Sequence, residues 1–145
     1  MLDHGLGQRA SVDAVTDGSL SIGQVARRTG LSVHTLRLYE REGLLAGVVD
    51  RDRSGRRLYS SWEVDWLSNC VKFRASGMRL ATISRLAQLV RDGSGNETER
   101  LELLREHRRH IIEQQAQLQD CLDLINAKVA GYEQHLADAA PGDPW

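Results

Sequence analysis

The sequence predicts a mainly α-helical protein, built as a small helical head with one β-hairpin and a single long helix behind it. Aromatic residues make up 5% of the chain and only two prolines occur, which favours helices over a β-sandwich. Two short helical patterns meet at a glycine within residues 20–43. Between residues 97 and 137, apolar residues recur at steps of three and four, which is the pattern of one long helix.

The composition is that of an ordinary soluble protein, with 41% hydrophobic and 27% charged residues. No apolar run approaches membrane-spanning length, and the N-terminus lacks a basic-then-apolar signal pattern. We therefore expect a cytoplasmic protein with no membrane partner. Residues 1–19 show no clear periodicity and are expected to be a flexible arm, with a short helix over residues 12–15 as the alternative.

The first two helices are predicted from the residues at their ends. Ser21 is an N-cap, and Gln24 follows at the spacing of a capping box. Gly30 stands where a left-handed residue ends a helix. Ser32 is a second N-cap, and the second helix should run over about residues 33–42. Each helix is too short to be stable alone, so the two must pack on each other and on a later part of the chain.

Two short helices joined by a glycine turn form a helix-turn-helix, whose second helix can lie in the major groove of DNA. Leu36 is expected to face the first helix. Five side chains should lie largely off the core side of the second helix, namely His34, Thr35, Arg37, Leu38 and Arg41.

A basic hairpin is predicted directly after the second helix. A Ser-Gly turn signal at residues 54–55 separates two candidate strands. Four arginines crowd around this turn, namely Arg51, Arg53, Arg56 and Arg57. A thin hairpin buries little surface, so its own stability does not explain them, whereas a phosphate backbone does. The alternative is a solvated loop, which four arginines in this position disfavour.

The distribution of charge also favours nucleic acid, although the net charge of −1 alone would not. Residues 20–85 carry twelve Lys and Arg against six Asp and Glu. Residues 86–145 carry six basic residues against eleven acidic ones. A basic first half and an acidic second half indicate a DNA-binding head on a water-facing tail.

A series of spaced positions agrees, in order, with one known family over about residues 20–90. The positions are Ile22-Gly23-Gln24-Val25-Ala26, Gly30-Leu31-Ser32, Thr35-Leu36-Arg37, Tyr39-Glu40, Gly43-Leu44-Leu45, Arg51, Ser54-Gly55, Arg57, Tyr59, Trp66-Leu67, Phe73-Arg74, Gly77, Leu80, Ile83 and Leu86. In these positions the chain resembles the mercury-resistance-regulator (MerR) family of transcription factors. The resemblance implies a winged helix-turn-helix dimer that binds a palindromic site in double-stranded promoter DNA and distorts it so that RNA polymerase can engage.

The resemblance also implies roles for individual residues. Arg37 and Tyr39 would contact the DNA backbone or groove, and Arg51 and Arg57 would act from the wing. Arg56 stands where many members have an aromatic residue, and would make a different phosphate contact. The complete predicted DNA-binding set is Ser32, His34, Thr35, Arg37, Tyr39, Arg41, Arg51, Arg53, Arg56, Arg57 and Tyr59.

Three more helices complete the predicted architecture. The third, over about residues 61–76, is the scaffold of the helix-turn-helix, and the fourth, over 80–91, closes a DNA-binding domain of residues 20–91. Residues 92–96 are a linker, in which Asn96 can cap the next helix. The long helix then covers about residues 97–137. The last residues, 138–145, contain Pro141 and Pro144 and are expected to be a flexible tail.

The long helix is predicted to be an antiparallel coiled coil between two copies of the chain. Its sustained three-four stripe needs a partner, since it is longer than one small head can cover. An antiparallel pair would hold two heads apart, matching two half-sites. The alternative, an intramolecular helical hairpin, lacks a second helix of similar length. The predicted dimerisation residues are Leu101, Leu104, Ile111, Leu118, Leu122, Ile125, Val129 and Tyr132.

The sequence contains no recognisable catalytic or cofactor motif, so an enzyme is not expected. Cys70 and Cys121 are far apart and lack metal-site spacing. Cys70 is interpreted as a core residue, with redox sensing as the alternative. His107 and His110 could hold zinc at a dimer interface, but a charged helix face is favoured and no metal is predicted.

The alternative function is a small-molecule-sequestering or scaffold protein built on the same dimer, and no effector is implied.

Overall fold

The computed structural model of the chain describes residues 19–47 and 50–145. The predicted arm therefore lies outside the described residues, apart from Ser19, and so do Val48 and Val49. The chain divides into two compact units, of which the first ends at Arg100 and the second is Leu101–Trp145.

The described residues are mainly helical with one small sheet. The elements are β1 (Leu20–Ser21), α1 (Ile22–Thr29), α2 (Val33–Arg41), β2 (Asp50–Arg51), β3 (Arg57–Tyr59), α3 (Ser61–Ala75), α4 (Leu80–Arg91) and α5 (Glu97–Asp138). Helices α2 to α5 begin and end within one residue of the predicted bounds. The predicted fold class, a mainly helical winged helix-turn-helix with a long C-terminal helix, is confirmed.

The predicted caps explain why the first two helices form where they do. The Ser21 hydroxyl accepts a hydrogen bond from the backbone of Gln24, whose side chain accepts one from the backbone of Ser21, so the capping box is present. Gly30 ends α1 with φ of 76°, a conformation that glycine adopts without strain. The Ser32 hydroxyl accepts from the Thr35 backbone at 3.0 Å and starts α2.

The hairpin belongs to a three-stranded antiparallel sheet, in which β3 lies between β1 and β2. Arg51 pairs with Arg57 in the hairpin, and Leu20 pairs with Tyr59 on the other edge of β3. We define the wing as β2, the turn at residues 52–56 and β3. Strand β1 was not predicted, because two residues carry no period and their pairing partner is 39 positions away in the chain. Its effect is to fix the base of the wing to the start of α1.

The core of the first unit lies between α1, α2, α3 and α4. Its largest fully buried side chains are Val25, Leu36, Leu44, Tyr59, Leu67, Cys70 and Ile83. The Trp66 indole donates to the Leu44 carbonyl at 2.7 Å, which ties the segment after α2 to α3. Burial raises the pKa of Cys70 to about 12, so this thiol stays protonated and packs as a small core residue.

The start of α5 differs from the prediction in one respect. Asn96 was expected to cap the helix with its side chain, but its amide instead donates to the Leu89 carbonyl at 2.9 Å and accepts from Arg100. Arg100 donates to the same Leu89 carbonyl at 3.0 Å. Glu99 also accepts from Arg85 of α4. The first turn of α5 is therefore fixed to the end of α4 within the first unit.

The second unit is the remainder of α5 and the seven residues that follow it. No residue of α5, a helix that the structure describes throughout, is buried. Its 42 residues give a length of roughly 63 Å at the usual helical rise. In the part of the chain that is described, no helix has both the length and the apolar character needed to cross a membrane.

Candidate nucleic-acid interface

The outer face of α2 presents cationic and hydrogen-bonding side chains. Leu36 and Tyr39, which are 0% and 5% exposed, anchor the opposite face in the core. His34, Arg37 and Arg41 follow at steps of three and four residues and are exposed. The helix therefore separates its core-facing residues from one solvent-facing row, as the sequence predicted.

The predicted residues at the start of α2 have local roles as well. Ser32 is exposed and its hydroxyl donates to the Thr35 hydroxyl at 2.9 Å, in addition to accepting from the Thr35 backbone. Thr35 is half-buried. Both side chains thus shape the N-terminal turn of α2 and lie at its surface.

The turn of the wing is closed by hydrogen bonds and carries exposed arginines. One carboxylate oxygen of Asp52 accepts from the Ser54 hydroxyl at 2.7 Å and from the backbone N–H groups of Ser54 and Arg56 at 2.9 Å each. These hydrogen bonds, that of the Ser54 hydroxyl first, lower the pKa of Asp52. Gly55 supplies the left-handed residue, with φ of 84°. Arg51, Arg53 and Arg56 are all exposed around this turn.

Arg57 is placed differently from the other wing arginines. Only 6% of it is exposed, and its guanidinium donates to Glu63 at 3.0 Å and lies 3.4 Å from Glu40. It also lies 4.8 Å from the centre of the Tyr59 ring, at cation–π distance. A guanidinium held between two carboxylates inside the protein is not presented to a phosphate backbone. Arg57 is thus not exposed beside the other wing arginines, and its direct contact with DNA stays a prediction.

Tyr39 and Tyr59 are also buried, at 5% and 0% exposed, and their contact with DNA likewise stays a prediction. Burial raises the pKa of both phenols. The resemblance assigned these side chains to DNA by position, without information on burial. One sequence signal could have indicated the burial of Arg57 and Tyr59. Side chains alternate along a strand, so Arg57 and Tyr59 share the inner face of β3, while Leu58 points to the other side.

Glu63 is a functional candidate that the sequence did not single out. It lies in the first turn of α3, is 2% exposed and accepts from Arg57. Burial raises its pKa to about 7, although Arg57 acts in the opposite direction. An added Cβ at Gly47 would lie 2.5 Å from the Glu63 Cγ, so only glycine leaves room for this carboxylate.

A short chain of ion pairs joins the elements of this surface. Arg51 lies 3.4 Å from Glu40 of α2, and the same carboxylate oxygen lies 3.4 Å from Arg57. Arg57 in turn binds Glu63 of α3. These ion pairs link the wing to α2, and we call the exposed arginines of the two elements together the cationic surface.

The predicted dimerisation stripe is exposed on α5. Leu118 and Leu122 are 70% and 51% exposed, and Ile111 is half-buried. The others are exposed, namely Leu101, Leu104, Ile125, Val129 and Tyr132. Trp145 contacts the end of the stripe, with its ring centre 6.5 Å from that of Tyr132.

The histidine pair of α5 lies within one turn of the helix. The His107 and His110 rings have centroids 6.0 Å apart. Burial, followed by the neighbouring His110, lowers the pKa of His107. Among residues 19–47 and 50–145, no group of three or more His, Cys, Asp or Glu side chains is placed to hold a metal ion.

Comparison with known proteins identifies the family. Residues 20–89 match the family described as MerR HTH family regulatory protein, and residues 64–127 match the one described as MerR, DNA binding. An uncharacterized HTH-type transcriptional regulator of Haemophilus influenzae is 35% identical over 111 residues, covering 77% of this chain and 82% of that protein. The regulator AdhR of Bacillus subtilis is 32% identical over 94 residues, covering 65% of this chain and 66% of AdhR.

A solved structure supports the same assignment. HiNmlR, a MerR family regulator lacking the sensor domain and bound to promoter DNA, is 34% identical with a TM-score of 0.73, and 82% of this chain and 94% of HiNmlR are covered. The chain belongs to the MerR family of helix-turn-helix transcription regulators. It is a transcription regulator rather than an enzyme, as the sequence predicted.

Proposed function

We propose that this protein binds a palindromic promoter site as a homodimer, with α2 as the recognition helix in the major groove. The observation that carries the proposal is the single cationic surface formed by α2 and the wing. Five exposed arginines lie on it, namely Arg37, Arg41, Arg51, Arg53 and Arg56. Charge of this density on a helix and an adjacent turn suits the phosphates that flank a major groove.

The roles within this surface follow from exposure. His34 and Arg37 lie near the start of α2, where a recognition helix reaches base edges. Arg53 and Arg56 at the tip of the wing are proposed to bind phosphates. Arg57, Tyr39 and Tyr59 are proposed to support these contacts from inside the protein.

The homodimer is proposed from the stripe on α5. An exposed apolar row along a helix of this length needs a partner, and a second copy in antiparallel orientation supplies the same row. Two heads held apart in this way would engage two half-sites. HiNmlR, which shares 34% identity, was solved bound to promoter DNA, and this supports a promoter as the target. Distortion of that DNA, action with RNA polymerase and a cytoplasmic location are proposed with it.

The alternative of a sequestering protein has weaker support. Around Trp145, Ile125, Val129, Tyr132 and Leu136 line an apolar hollow that is open to solvent. A small-molecule site normally encloses most of its ligand. DNA binding is therefore the function that the described residues favour.

The wing contacts can be tested by the salt dependence of DNA binding. Replacing Arg53 and Arg56 with Ala in one variant should reduce the slope of log K against log salt by about 3–4, because the homodimer loses four phosphate contacts and each lost contact removes about 0.9. The measurement is fluorescence anisotropy with a duplex that the wild-type protein selects from a random pool, at several salt concentrations.

The matched control replaces Arg105 and Arg109 of α5, which are also exposed arginines. This double variant loses the same charge, and its slope should equal that of the wild-type protein. If both variants reduce the slope equally, the wing does not carry the contacts. If the wild-type protein selects no sequence at all, the DNA-binding proposal is wrong.

A further inference from the structure

The ion pairs beneath the wing involve more buried charge than stability requires. Arg57 and Glu63 have side chains only 4% and 3% exposed, and Glu40 of α2 is the second carboxylate on Arg57. Removing two charges from water is costly, and a packed apolar pair at such a site is often as stable or more so. We therefore expect this arrangement to have a role other than stability. It joins the wing, α2 and α3, which indicates a role in positioning the wing relative to α2.

Glu63 sits where its charge controls the geometry of the wing. Arg57 of β3 is the cation that faces it, and Glu40 of α2 and Asp50 of β2 are the anions that act on it. Gly47, in the segment before the wing, packs directly on the Glu63 side chain. The guanidinium of Arg57 reaches Glu63 and Glu40 together, so it bridges α3 and α2 through the base of the wing.

We propose that Glu63 is a positioning residue for DNA binding, whose ionised carboxylate holds Arg57 and thereby fixes the wing relative to α2, so that protonation of Glu63 weakens DNA binding. This inference rests on the proposed DNA-binding function. It gives the regulator a response to pH that is built into the head itself.

The pH range follows from the environment of Glu63. Burial raises its pKa from 4.5 to about 7, so the carboxylate changes charge close to neutral pH. The folded protein keeps this proton up to about pH 7, whereas the unfolded chain releases it near the ordinary value. The contribution of Glu63 to stability is thus present at low pH and is lost as pH rises through 7. Weaker DNA binding at low pH would therefore not be caused by loss of folding at this site.

The direction in which DNA affinity changes with pH distinguishes a positioning role of Glu63 from the effect of its charge alone. Protonation of Glu63 makes the head more positive, and attraction to phosphates alone would strengthen binding at low pH. Positioning predicts the opposite. We expect affinity to fall about tenfold between about pH 8.5 and pH 6, which corresponds to a coupling of about one pKa unit summed over the two Glu63 residues of the dimer.

The test measures affinity by anisotropy across this pH range at constant ionic strength. The probe is a labelled duplex that the His34→Gln protein selects from a random pool at about pH 8. His34→Gln is the parent background, so that the imidazole on α2 does not contribute. In this background Glu63→Gln should bind about tenfold more weakly than the parent at high pH and show no pH dependence. Glu63→Asp should keep most of the affinity at high pH.

The matched control is Asp65→Asn, which removes an exposed carboxylate from the same helix. It should keep the pH profile of the parent. A parent profile that is flat or rises towards pH 6 overturns the inference, as does Glu63→Gln binding like the parent at high pH. The parent profile needs no substitution at Glu63, so it decides the matter even if Glu63→Gln does not fold. Specific binding without pH dependence overturns this inference alone, whereas absence of a selected site overturns the proposed function as well.

Discussion

Replacing both Leu118 and Leu122 with Glu is expected to convert the protein to a monomer and to weaken binding to the selected duplex more than 100-fold. Both leucines lie in the middle of the exposed stripe on α5. Burial of each in a dimer contributes about 1.5–3 kcal/mol, and a carboxylate in its place would have to be desolvated. Two such losses per chain are four per dimer, or about 6–12 kcal/mol, so dimer dissociation should increase by more than a factor of about 1,000.

The monomer would engage only one half-site, so the affinity for the full site should fall when dimerisation is lost. Sedimentation equilibrium measures the association state and anisotropy measures the affinity. Ala116→Glu with Ala127→Glu is the matched control, because it adds the same charge to the other side of α5. This control should remain dimeric. A dimer that survives the leucine substitutions would show that the stripe is not the interface.

Replacing Leu36 with Ala is expected to lower the free energy of unfolding by about 2–5 kcal/mol. Leu36 is fully buried between α2 and the rest of the core, so the substitution leaves a cavity where the recognition helix is anchored. Urea denaturation of the full chain measures the change. The protein concentration is held fixed, since the stability of a dimer depends on it.

Leu38→Ala is the matched control, two positions further along the same helix. Leu38 is half-buried, so its replacement should cost less than about 1 kcal/mol. Equal losses for the two variants would contradict the orientation of α2 described here. A small loss for both would mean that α2 is not packed through Leu36.

The helices were predictable because their ends are determined locally. Ser21, Gln24 and Gly30 act within a few residues of their own positions, and the structure shows each in its expected role. The long helix followed from a stripe repeated over ten turns. Strand β1 was not predictable, because two residues become a strand only through pairing with β3.

The residue types of the interface could be predicted from the sequence, but the exposure of each side chain could not. All four wing arginines looked equivalent in the sequence, yet three are exposed and Arg57 is buried. Its position depends on two carboxylates from different helices, one of them 17 residues away in the chain. Glu63 escaped notice because an acidic residue in the first turn of a helix is ordinarily explained by the helix dipole.

The most direct test of the DNA-binding dimer is a hydroxyl-radical footprint of the wild-type protein on the duplex it selects, with the stoichiometry measured on the same complex. We predict two symmetric protected regions on one face of the DNA, separated by about one helical turn or a multiple of it, with two chains per duplex. A single protected half-site, or no protection by a protein that remains dimeric, would contradict this account.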